Sequence, residues 1–60
     1  MNILKEFREK LDLTQNSFAE IIGVSLSLYI KIENGIRKPS REFISKLKDK
    51  YPEFDVNNFF

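Results

Sequence analysis

Sixty residues, 42% of them hydrophobic, with a formal net charge of +1, suffice for a single domain over residues 1–60 and one small core. The absence of Cys and His removes any disulfide framework or thiolate metal site, along with the commonest metal ligand and neutral-pH general base. No nucleophile–base pair, phosphate-cradling loop or metal-ligand spacing is visible, so an enzyme is not expected, nor a metal or cofactor.

No apolar run approaches the roughly 20 residues of a membrane span, and the N-terminus lacks a signal-peptide pattern. A cytoplasmic protein with no membrane partner is therefore expected. The charge is unevenly spread. Residues 1–30 are slightly acidic, residues 31–50 carry seven Lys and Arg against Glu33, Glu42 and Asp49, and Glu53 and Asp55 make the last ten residues acidic. Such a basic segment suits a phosphate-facing surface; the run Lys46, Lys48, Lys50 taken alone reads as a solvated helix face.

In chain order the pattern is helical throughout. Asn2 is placed to cap a first helix with Leu4, Phe7 and Leu11 as its apolar stripe. Thr14 caps a second, in which Phe18, Ile21 and Ile22 face inward beside Ala19. Gly23 ends it in the left-handed region, and Ser25 caps a third helix after a three-residue turn, Gly23-Val24-Ser25. Asn34-Gly35 ends that helix, and residues 36–39 form a basic loop. Ser40 caps a fourth helix bearing Phe43, Ile44, Leu47 and Tyr51, which Pro52 stops. Asp55 then caps a final turn that returns Val56, Phe59 and Phe60 to the core. Two short helices joined by a tight turn containing Gly have the form of a helix-turn-helix; their steep crossing leaves one face of the second projecting, as entry into a major groove requires.

The string Leu13-Thr14-Gln15-Asn16-Ser17-Phe18-Ala19-Glu20-Ile21-Ile22-Gly23-Val24-Ser25, followed by Ile32-Glu33-Asn34-Gly35-Ile36-Arg37-Lys38-Pro39-Ser40 and preceded by Leu4, Phe7 and Arg8, resembles the Cro/CI-type (XRE-type) helix-turn-helix domains of phage and bacterial regulators. The resemblance runs from about Leu4 to Phe59. It implies an all-α, lambda-repressor-like domain of five short helices and a Cro-like repressor, in the bacterial cytoplasm or nucleoid, that binds a pseudo-palindromic double-stranded DNA operator as a homodimer. With no room for an effector domain, no small-molecule effector is expected. The alternative is a protein-interaction module of the same fold, an antitoxin or antirepressor.

Under this resemblance Gln15 reaches a phosphate from the start of the second helix, and Asn34, Arg37, Lys38 and Arg41 lie along the DNA backbone, their cations and backbone N–H groups positioning the domain without reading sequence. Asn16 and Ser25 are placed with them. Arg8 and Glu33 match a partly buried structural ion pair. On the third helix, Tyr29, Ile32 and Glu33 fall on one side, with Val24 also core-like, and the Tyr29 hydroxyl is expected at the edge. Leu28 falls at the boundary.

Leu26, Ser27, Ile30 and Lys31 fall on the other side and form the candidate base-reading set. Family members commonly carry polar side chains at the Leu26 and Ile30 positions. Here both are aliphatic, so they contact either thymine methyl groups or another protein. Phe54, Phe59 and Phe60 are either core or a dimer contact, because terminal Phe residues are costly when exposed.

Overall fold

The computed structural model describes residues 3–55. Four helices follow one another: α1 (Ile3–Lys10), α2 (Gln15–Ile22), α3 (Leu26–Glu33) and α4 (Arg41–Lys50), with no strand among the described residues. The expected fifth helix, the Asn2 cap, and Val56, Phe59 and Phe60 lie outside the described residues.

Each of the three later helices opens on a hydroxyl cap. Thr14, Ser25 and Ser40 accept from the backbone N–H groups of Ser17, Leu28 and Phe43 respectively. The first three helices close in one and the same way. A residue in the left-handed region follows the helix, its N–H reaches back three residues, and the next N–H reaches back five. In α2 these bonds run from Gly23 to the Glu20 carbonyl (3.2 Å) and from Val24 to that of Ala19 (3.0 Å). In α3 they run from Gly35 to Ile32 (3.1 Å) and from Ile36 to Lys31 (2.9 Å), and in α1 from Asp12 to Glu9 (3.0 Å) and from Leu13 to Arg8 (3.3 Å). This is the Schellman closure, which satisfies helix-end carbonyls.

Gly23 (φ 83°) and Gly35 (φ 78°) take the left-handed position without a Cβ penalty, whereas Asn34 (φ −82°) does not enter that region. Asp12 holds it at φ 57° with a full side chain.

The core consists of Leu4, Phe18, Ala19, Ile22, Tyr29, Ile32, Phe43, Leu47 and Phe54, with Ile3, Phe7, Leu13, Val24, Leu28 and Tyr51 packed against it. Aromatic rings join α1 and the segment after α4 to α2. Phe7 meets Phe54 edge-on at 4.9 Å and Tyr51 at 5.4 Å, while Tyr51 stacks on Phe18 at 5.4 Å. Such pairs add about 0.5–1.5 kcal/mol each beyond the area they bury.

Three side chains lie elsewhere than expected. Leu11 lies past the end of α1 and is 37% exposed; the Asp12 turn diverts the chain, and Leu13 packs instead. Ile21 is 39% exposed, because α2 turns Phe18, Ala19 and Ile22 inward. The Tyr29 hydroxyl is buried, not at an edge. Of the two places open to Phe54, core or dimer contact, the structure takes the core: the turn closed by its N–H on the Tyr51 carbonyl (3.0 Å) returns it there.

Candidate nucleic-acid interface

α2 and α3 pack together across the three-residue turn, and Val24 in that turn is tucked against the core. What holds α3 in place is a buried carboxylate. Glu33, in its last turn, is only 5% exposed. Arg8 Nε donates to Glu33 Oε1 at 2.8 Å, and the Tyr29 hydroxyl donates to the same oxygen at 2.9 Å. The Gln15 side-chain amide donates to Oε2. Arg8 also donates from a terminal guanidinium nitrogen to the Leu13 carbonyl at 2.8 Å, which ties in the loop after α1. One carboxylate thus fastens α1, α2 and α3 to one another.

The electrostatics follow from that geometry. Burial pushes the Glu33 carboxyl up, but the hydrogen bonds from Arg8, Gln15 and Tyr29 outweigh it, so its pKa is lowered overall. The hydrogen bond to Glu33 raises Arg8 further above its ordinary value, and burial together with the Glu33 hydrogen bond raises the Tyr29 phenol. Glu33 is therefore ionised and fully committed to structure, and Gln15 is a strut between helices in this conformation.

With Tyr29, Ile32 and Glu33 anchored inward, the opposite side of α3 faces out. Ser27 and Lys31 are exposed, Leu26 is 38% exposed, and Ile30 is half-buried. Asn16, near the start of α2, and Ser25, the α3 cap, are exposed as well. Each of these two helices starts on a hydroxyl cap, and its first turn lies at the positive end of the helix dipole.

Beyond α3, Asn34, Arg37, Lys38 and Arg41 are all exposed. Among the described residues, Lys31, Arg37, Lys38 and Arg41 have no ion-pair partner. The backbone of this loop differs from expectation. The N–H groups of Asn34, Gly35, Ile36 and Arg37 all bond carbonyls of α3, those of Ile36 and Arg37 sharing the Lys31 oxygen at 2.9 and 3.1 Å. These four N–H groups are occupied, so in this conformation only the side chains of this segment are open to a ligand. Ile36, between the two, is 74% exposed.

The solvated helix face expected for Lys46, Lys48 and Lys50 holds for Lys48 and Lys50 but not for Lys46. Lys46 is half-buried and its ammonium donates to the Gly23 carbonyl at 3.0 Å, while pairing with Glu42 at 3.4 Å. A residue of α4 thereby caps the end of α2 at the turn that aims α3. The i, i+4 spacing of Glu42 and Lys46 was a legible signal for the ion pair, but nothing local marks the contact with Gly23, 23 residues away.

No helix among the described residues is long and apolar enough to cross a membrane, and no group of three or more potential metal-ligating side chains occurs among them. Searches of curated proteins and of solved structures each returned no match. A family model described as helix-turn-helix matches residues 4–52, covering all four helices and the turn between α2 and α3 almost in full. The chain belongs to the XRE-type helix-turn-helix family of DNA-binding proteins.

Proposed function

We propose that this chain is a Cro-like transcriptional repressor of lambda-repressor-like fold, acting in the bacterial cytoplasm or nucleoid. It binds a pseudo-palindromic operator as a homodimer, with α3 in the major groove, and it represses by occluding a promoter. The observation that carries this reading is the two-sided character of α3. One side is fastened through buried Glu33, and the other leaves Ser27, Lys31 and their neighbours bare beside exposed Arg37, Lys38 and Arg41. A rigidly seated helix with an open face and a cationic border meets the two needs of groove recognition, positioning on phosphates and access to base edges.

Selection of bound duplexes from a random pool, followed by footprinting, tests the proposal. It predicts two half-sites about one helical turn, roughly 34 Å, apart. Lys38→Ala weakens binding to all sequences alike and lowers the log–log salt slope by about 0.9, as expected for one phosphate contact. Lys31→Ala instead changes which sequence is selected. An unchanged motif with Lys31→Ala means that the reading face has been misplaced.

One observation favours a second reading, a protein-interaction module such as an antitoxin or antirepressor. Leu26 in α3 and, above all, Ile36 just after it expose aliphatic side chains. Association with a protein that depends on Leu26, without salt-sensitive duplex binding, would replace the first reading with the second.

A further inference from the structure

The outward face of α3 is divided lengthwise. Ser27 and Lys31, both exposed, form one strip; Leu26, exposed, and Ile30, half-buried, form a second beside it. Residues four apart on a helix are neighbours, with Cβ atoms about 5–6 Å apart. The second strip therefore offers a continuous aliphatic surface one turn long, without a hydrogen-bond donor or acceptor in either side chain. It cannot read the donor and acceptor pattern of a base pair. The one apolar group that the standard bases present in the major groove is the thymine C5-methyl.

We infer that Leu26 and Ile30 recognise thymine through its 5-methyl group, and that each half-site carries two such thymines close together. The inference rests on the DNA-binding reading above and specifies which bases it uses. Charge selects the occupant. The aliphatic strip adjoins Lys31 and is followed by Arg37, Lys38 and Arg41, which lack ion-pair partners among the described residues. A polyanion satisfies that border, whereas an apolar protein surface would bury cations without compensation.

Four residues of helix rise about 6 Å, and bases stack about 3.4 Å apart, so the two methyl groups fall one or two base pairs from each other. Ser27 and Lys31 are left to hydrogen-bond the adjoining pairs.

The test uses the full chain and the duplex that it enriches from a random pool. Each thymine of a half-site is replaced in turn by deoxyuridine, which removes the 5-methyl group and keeps every hydrogen-bonding atom. Two positions, one or two base pairs apart, are expected each to lose about fourfold in affinity, the change that corresponds to about 0.8 kcal/mol for one buried methylene-sized group. Leu26→Ala is expected to abolish the loss at one position and Ile30→Ala at the other. The deoxyuridine measurement on the unmodified protein needs no variant, so it decides the matter even where Ile30→Ala disturbs folding.

Deoxyuridine tolerated at every thymine overturns the inference, as does an unchanged loss in both variants. In either case an enriched duplex leaves the DNA-binding reading standing. Enrichment of no duplex overturns that reading and this inference together.

Discussion

Glu33→Gln replaces the carboxylate that fastens three helices with an amide of nearly the same shape. The amide oxygen can keep the position that accepts from Arg8 and Tyr29, and the new amide nitrogen then faces Gln15. Gln15 can rotate its own amide to present oxygen, so no buried polar atom need be orphaned. What is lost is charge.

Arg8, whose side chain is 11% exposed, keeps its bond to the Leu13 carbonyl but loses its counter-ion. Removing one partner of a buried ion pair costs about 3–5 kcal/mol. The preserved hydrogen bonds and the residual access of Arg8 to water place Glu33→Gln just below that range, at about 2–3 kcal/mol, and Glu33→Ala at its upper end. At about 0.05–0.15 kcal/mol per residue, a 60-residue domain has roughly 3–9 kcal/mol in total. Glu33→Gln should remain folded, and Glu33→Ala should be near its limit.

Urea unfolding followed by helical circular dichroism measures both at pH 7. The pH dependence supplies the decisive check. The folded state lowers the Glu33 pKa below its ordinary 4.5. Its contribution is fully present above that value and is lost as pH falls through the lower, folded-state value. The stability gap between wild type and Glu33→Gln should therefore be constant from pH 7 to about 5 and shrink in stronger acid. A gap that persists unchanged into strong acid, or no gap at pH 7, would refute the role given to this carboxylate.

Two further outcomes follow from the helix ends. At Gly23 a Cβ would meet nothing within 4 Å, so the cost of Gly23→Ala is purely conformational, about 1–2 kcal/mol for a left-handed L-residue, measured by thermal or urea unfolding. Asp12→Gly should change stability in the opposite direction, by less than about 1 kcal/mol, because the added freedom of the unfolded chain offsets part of the relief.

Lys46→Met removes the α4 contact with the Gly23 carbonyl at a cost of no more than about 1 kcal/mol, since the Lys46 side chain is 40% exposed. On the proposed function it lowers affinity for the selected duplex more than for random DNA, with the salt slope unchanged and with recovery in Lys46→Arg. A slope reduced by about 0.9 would make Lys46 a phosphate contact and refute its positioning role.

The local signals were legible because they are local. Hydroxyl caps at Thr14, Ser25 and Ser40 and left-handed glycines at 23 and 35 act over three to five residues, and they mark the helix boundaries without reference to the rest of the fold. The assignment of Arg8 with Glu33 came from resemblance, not from spacing, and the structure places the two at 2.8 Å.

Periodicity failed where a helix is short. In eight residues an apolar stripe is only two turns long, so Ile21 and Ile22 compete for the same face, and packing of α2 against α3 and α4 decides for Ile22. Leu11 was lost to an Asp12 turn that no glycine announces.

By itself, then, the sequence determined the four described helices, the caps that open α2, α3 and α4, the glycine ends of α2 and α3, and the family, since each rests on side chains acting on the adjacent backbone or on a recognisable string. Only the tertiary structure decided what distant residues do to one another. It put Phe54 in the core through a turn at Tyr51, and it drew Gln15 onto Glu33. It also spent the N–H groups of residues 34–37 on α3 and brought Lys46 to the Gly23 carbonyl. Burial and hydrogen-bond satisfaction are properties of the whole packed chain, and they determine which exposed side chains of α3 remain free to meet a ligand.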